Sequence, residues 1–261
     1  MKRLPLRALL FLVLASTAIS LQAQTAAPAA PAGTGTVIPA VPPNAPVPPP
    51  ASNTPPPPTP DQIAKWQQVL TNFGAEKYAD ALAGVEDLIR ARPTDNQLLL
   101  VRGNILLKLE RWAPATDQFN AVLKITPKDA SARYGLGEVA YYQKKYADAR
   151  AVYQQLNADD PKNDLFTYKI FLTYLMEDNL TEAKNRLDKF DFAGNSPAYY
   201  FAMAAWNYKA GKPTDAESYI ASSVSIFPPI ANNLFADPLM SAGWLKKKVG
   251  NLGIAAPSGA R

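Results

Sequence analysis

Beyond residue 60 the hydrophobic and polar positions recur with a fixed step. Ala81, Ala115, Ala149 and Ala183 lie 34 residues apart, and Ala216 follows after 33. Tyr78, Trp112, Tyr146 and Leu180 keep the same step, as do Leu88, Val122, Leu156 and Phe190. Pro93, Pro127 and Pro161 also recur at 34, with Pro228 falling 67 later, and Gly103 and Gly137 add a further pair. A period in this range marks a solenoid of repeated supersecondary units. Within a unit, Ala115 and Phe119, or Ala149 and Tyr153, are four apart and share one helix face. The third unit predicts a helix over Ala130–Gln143, a turn at Lys144–Tyr146 and a second helix over Ala147–Leu156. Pro161 then stops the helical run, because it lacks the amide donor and restricts the residue before it. One such helix pair cannot bury its apolar face alone, so neighbouring pairs must stack.

The unit resembles the tetratricopeptide repeat, whose signature runs W-x2-L-G-x2-Y, then A-x3-F, then P. Leu136-Gly137 matches the first part, Ala115-x3-Phe119 and Ala149-x3-Tyr153 the middle, Pro127 and Pro161 the end. The first unit carries Trp66-x2-Val69-Leu70-x2-Phe73 one residue out of phase with its second helix, which predicts an extra residue near Gly74. Unit four has Phe171 where glycine is usual and Asn195 in place of the closing proline. The resemblance spans residues 61–230 as five units. It implies an all-α, right-handed solenoid of helical hairpins. After Pro228-Pro229 the pattern changes. Asp237-Pro238 reads as a helix start, with Asp as the cap and Pro in the first turn. Leu239–Lys248 is then a short helix within a capping segment, residues 231–249, that covers the last apolar face. Three lysines near its end suit the helix dipole. Residues 250–261 are expected to form a frayed tail.

The first sixty residues read differently. Met1–Arg7 is a positive n-region and Ala8–Ala15 an eight-residue apolar stretch, with cleavage expected after Ala18 or Ala23. This is the three-part pattern of a secretory signal peptide, residues 1–23. An uncleaved anchor is the alternative, although the run is short for a transmembrane helix. Cleavage would leave a protein that is not integral to the membrane, in the periplasm or outside the cell. Residues 24–60 are mostly Ala, Pro, Thr and other small residues, so ordering them gains too little apolar burial. They are expected to form a disordered linker, reaching on the order of 100 Å if polyproline-like. Their PxxP spacings alternatively suit a proline-recognising domain.

Composition narrows the chemistry. The chain has no Cys and no His, which removes thiolate and imidazole metal sites, cysteine nucleophiles and the commonest general base. The sequence pI of 9.2 does not signal nucleic acid. Residues 61–244 carry 20 Lys and Arg against 22 Asp and Glu, so no basic face awaits a phosphate backbone. No phosphate-binding glycine loop or nucleophile elbow occurs. The pairs Glu86-Asp87, Asp159-Asp160 and Glu177-Asp178 are neighbours whose side chains diverge on a helix, and they read as solvated surface. No catalytic residue, cofactor or metal is therefore expected.

The remaining constellation is aromatic. Tyr134 and Tyr168 are 34 apart and Phe201 follows after 33, each early in a first helix. The family resemblance implies that first helices line a concave groove for peptides and that these positions face it. Leu100 holds the same place one unit earlier. Asn104, Glu138, Leu172 and Ala205 follow one turn on, then Tyr141, Leu175 and Tyr208. Such a floor suits an extended or amphipathic peptide. The alternatives are that these rings are core between stacked helices, or are covered by the chain's own C-terminal segment. The expected function is a non-catalytic protein-interaction scaffold. A structural envelope factor contacting peptidoglycan or outer-membrane components is the second reading.

Overall fold

The computed structural model describes residues 57–190 and 196–246. The expected signal peptide, nearly all of the linker, Asn195 and the C-terminal tail lie outside the described residues. Among the described residues there are eleven helices and no strand. The first ten form five consecutive hairpins. These are α1 (Pro60–Gly74) with α2 (Tyr78–Ala91), α3 (Asn96–Lys108) with α4 (Trp112–Ile125), and α5 (Ala130–Tyr142) with α6 (Tyr146–Asp159). They continue with α7 (Asp164–Met176) and α8 (Leu180–Leu187), then α9 (Ala198–Lys209) and α10 (Pro213–Ile226). The last helix, α11 (Pro229–Ser241), stands outside the pairing.

Two local devices punctuate the repeats. Two residues after each closing proline, Asp95, Asp129 and Asn163 cap the next first helix, accepting from the Gln97, Ala132 and Leu165 amides at 3.0, 2.8 and 3.2 Å. A side-chain oxygen there satisfies an amide that has no partner within the helix. At the other end, Glu76, Glu110, Lys144, Asp178 and Gly211 all adopt a left-handed backbone, with φ between 58° and 71°. The following amides, such as Lys145 N, reach back to carbonyls of the last helical turn at 2.8 to 3.0 Å. This is the Schellman closure, which glycine tolerates best.

Packing inside each hairpin rests on small residues. Ala81, Ala115, Ala149, Ala183 and Ala216 are all fully buried. The Phe119 ring lies against both Gly103 and Gly135, where an added Cβ would stand 2.7 and 2.5 Å from it. Gly137 makes the same room for Tyr153, at 2.7 Å. In the fourth unit the sizes exchange. Phe171 occupies the glycine position of the first helix and Leu187 the ring position of the second, both buried.

Three sequence expectations are corrected. No extra residue sits near Gly74. The left-handed Glu76 is in register with Glu110 and Lys144, so the first turn has the length of the others. Val69 therefore falls where Gly103 and Gly137 fall, and its side chain occupies the space beside Gly84 instead of a ring. In the third unit, α6 begins at Tyr146 and runs to Asp159, since the turn needs only the residues around Lys144. Finally, the last helix is not Leu239–Lys248. It starts at Pro229 and contains Pro238 in its interior, while Asp237 pairs with Lys108 rather than capping.

The adjacent carboxylates diverge as expected but are not merely solvated. Glu86 binds Arg102 at 2.8 Å, whereas Asp87 turns the other way to Lys65 at 2.7 Å and to Arg90. Asp159 meets Arg133, and Glu177 meets Arg150, both at 2.5 Å. Apart from Asp87–Arg90, which lies within α2, these exposed or half-exposed pairs lace successive helices together, and each contributes little.

Candidate peptide-binding groove

The unit register places Trp66, Leu100, Tyr134, Tyr168 and Phe201 in one column along the first helices. Leu70, Asn104, Glu138, Leu172 and Ala205 form the next column, and Phe73, Leu107, Tyr141, Leu175 and Tyr208 a third. The floor is thus apolar and aromatic along its length, with Glu138 as its one charged member in these columns.

Glu138 is buried and satisfied. Lys169 Nζ, itself 1% exposed, donates to Glu138 Oε2 at 2.8 Å, and the Tyr153 hydroxyl donates to Oε1 at 2.5 Å. The Lys169 ammonium also lies 5.2 Å from the Tyr141 ring centre and 5.7 Å from that of Tyr134. Desolvation pushes the Tyr134, Tyr141, Tyr153 and Tyr168 phenols well above their ordinary pKa, and the nearby Glu138 charge adds to this. The result is a closed polar knot among α5, α6 and α7 that positions their helices. It presents no reactive group.

The C-terminal half of the floor is occupied by α11. The Tyr168 hydroxyl donates to the Phe235 carbonyl at 2.9 Å, and the Phe235 ring sits 5.3 Å from Tyr168 and 6.2 Å from Phe201. Lys108, at the end of α3, donates to Asp237 across 129 residues of chain at 2.8 Å. Burial opposes the Lys108 charge, but Asp237, with smaller help from Tyr78 and Glu138, holds that pKa above the usual lysine value. Gly243, with φ 75°, then reverses the chain, and Trp244 stacks on Tyr208 at 5.9 Å.

The residues expected to line the groove accordingly fall into groups. Tyr168 and Phe201 are buried beneath α11, and Tyr208 lies half-buried beneath Trp244. Leu172 and Leu175 are buried in the same cluster. Glu138 and Tyr141 are buried in and beside the ionic knot, and the Tyr141 hydroxyl has no hydrogen-bond partner. Tyr134 is half-buried against Tyr153 and Phe166. Leu100 is buried and Asn104 is half-exposed. Over α7 and α9 the floor is thus self-covered.

The tetratricopeptide repeat family profile matches residues 67–130 and 102–164. Residues 67–164 carry tetratricopeptide repeats. Among solved structures, a thermophilic TPR protein of Thermus thermophilus superposes with a TM-score of 0.54 at 17% identity, covering 69% of this chain and 98% of that one. A tetratricopeptide repeat protein of Parabacteroides merdae gives 0.57 at 15%, covering 69% and 71%. PilW, described as a widely conserved type IV pilus biogenesis factor, gives 0.51 at 20%, covering 71% and 89%. These similarities speak to the fold alone. No curated protein matches the chain in sequence.

Seen as tetratricopeptide repeats, the five hairpins also show what sequence reasoning missed. Trp66 belongs to the groove column, not to the signature tryptophan position that it resembles by spacing. The step of 34 from Trp66 to Leu100 and Tyr134 carried that signal. The fold supports a protein–protein interaction scaffold. Among the described residues, no helix is long and apolar enough to cross a membrane, and no group of acidic residues is placed to hold a metal.

Proposed function

We propose that this chain is an exported, non-catalytic adaptor that holds a segment of another protein along the concave floor of its repeats. The observation that carries this reading is the unbroken column from Trp66 through Leu100, Tyr134 and Tyr168 to Phe201. One end of it already holds a helix. Rings at a fixed pitch offer an amphipathic segment successive apolar anchors at the spacing of the repeats. At the other end Ile63 is exposed and Trp66, Leu70 and Asn104 are half-exposed, and this is where an outside segment enters.

In this reading the N-terminal sequence is an export signal, and the proline-rich stretch is the tether of the adaptor. Cell fractionation with intact-mass measurement tests export, expecting loss of 18 or 23 residues. Recovery of the full-length chain in the cytosol would contradict it. Binding is tested by presenting the full chain and an Asn104→Arg variant to envelope extract, after both show equal helicity and equal melting. The long cation projects into the open end of the floor. A protein held by the parent and lost by the variant supports the reading, whereas identical capture by both moves binding to another surface.

A further inference from the structure

The segment seated in the groove identifies the chemistry that the groove accepts. An aromatic ring lies between Tyr168 and Phe201, a backbone carbonyl takes the Tyr168 hydroxyl, and a carboxylate two residues later takes Lys108. The helix providing these contacts is poorly equipped to stand alone. No side chain caps its start, its first turn has no acid and its last turn no base. Pro238 lies inside it and cannot donate to the carbonyl one turn back, a substitution that breaks isolated helices. The order of α11 therefore comes from the groove beneath it, and a segment ordered by its site can be exchanged for another. Asn232 ties the first turn to α10, its amide donating to the Phe227 carbonyl at 2.8 Å and its Oδ1 accepting from Ser223 at 2.6 Å. Once lifted, α11 remains held beside the site at high local concentration.

We propose that α11 is a resident ligand of the groove, displaced by a partner helix that carries an aromatic residue followed two positions later by a carboxylate. This inference rests on the concave-floor reading and adds its regulation and the partner's chemistry. The partner gains its first contacts at the open end near Asn104 and then replaces Phe235 and Asp237 in turn. Occupancy by α11 sets a threshold, so only segments that match both the ring and the carboxylate compete.

The test uses the full chain and a labelled synthetic peptide of residues 229–246 as the probe. In the parent chain the resident helix competes in cis, and the peptide binds weakly. An Asp237→Lys chain sets its own α11 against Lys108, so it should bind the peptide at least roughly tenfold more tightly. A Lys108→Glu chain should lose the peptide and regain binding to one made with Asp237→Lys. Hydrogen exchange on the same proteins should show faster α11 amides in both variants, with α9 unchanged. The proposal is overturned if α11 stays as protected as α9 in both variants. It is equally overturned if α11 exchanges faster but neither peptide binds, or if the charge-swapped pair shows no preference. A negative result here with a positive Asn104→Arg test would leave binding at the open end and make α11 a permanent cap. The reverse pair of results would confine binding to the α11 site.

Discussion

Lys169→Met is expected to be the most damaging conservative-length substitution in the solenoid. Lys169 is 1% exposed, and its ammonium meets Glu138 at 2.8 Å within a ring of tyrosines. Methionine fills nearly the same volume with an unbranched, adaptable chain, so cavity formation is a minor effect. The dominant effect is electrostatic. Glu138 stays buried with the Tyr153 hydroxyl but without its counter-ion, and breaking such a pair costs about 3–5 kcal/mol. That is a large share of the roughly 5–15 kcal/mol that holds an ordinary domain together. Removing the whole knot should be far milder. In the triple variant Glu138→Leu, Lys169→Met, Tyr153→Phe, both charges and the Tyr153 hydroxyl go together and only the half-buried Tyr134 hydroxyl loses its bond to Glu138, so stability should return to within about 2 kcal/mol of the parent. Urea unfolding followed by far-UV circular dichroism measures both, with midpoints and slopes compared because solenoids need not unfold in one step. The reasoning fails if Lys169→Met costs less than about 1 kcal/mol, or if the triple variant is as unstable as the three single substitutions summed.

Other expectations concern the turns, the small-residue contacts and the phenols. Lys144→Gly relieves a left-handed residue at φ 61° and should stabilise by roughly 0.5–1 kcal/mol, while Gly211→Ala at φ 71° should destabilise by about 1 kcal/mol in the same urea assay. Gly137→Ala puts a methyl 2.7 Å from Tyr153 and 3.2 Å from Val152, and should cost about 1–3 kcal/mol despite alanine's better helix propensity. A stabilised Gly137→Ala protein would show that the α5–α6 contact is loose. Tyr134, Tyr153 and Tyr168 have pKa values raised by burial, so their stabilisation is complete below about pH 10 and is lost as pH rises further. Each should then withdraw about 1.4 kcal/mol per pH unit until its folded pKa is reached. Tyrosinate absorbance should therefore rise together with loss of helicity, and early, gradual ionisation of all twelve tyrosines would contradict the burial.

The repeat was legible because its constraints are local and recur. Ala81 and its successors must be small wherever two helices cross, and Pro93 and its successors must end a helix, so each unit displays the same marks. The phase of the first unit was not legible in the same way. Trp66, Val69 and Phe73 mimic the signature spacing one residue away from it, and only the turn at Glu76 reveals that Val69 holds the glycine position. Unit four looked irregular because Phe171 replaces glycine, yet Leu187 gives back the space within the same hairpin. For α11, local rules pointed the wrong way. Asp237-Pro238 is a good helix start by propensity, and the groove overrides it by burying Phe235 and Leu239 and pairing Asp237 with Lys108. Nothing along the chain links Glu138 to Lys169, because their partnership exists only once α5 and α7 stack.

The most direct measurement places a photo-reactive phenylalanine analogue at position 104 of the full chain, on the open floor, and in a second protein at the exposed position 120 of α4. After illumination in whole cells, the concave-floor account predicts a discrete covalent adduct with another protein from position 104 and none from position 120. Adducts from position 120 alone would contradict it and put the binding surface on the outside of the solenoid.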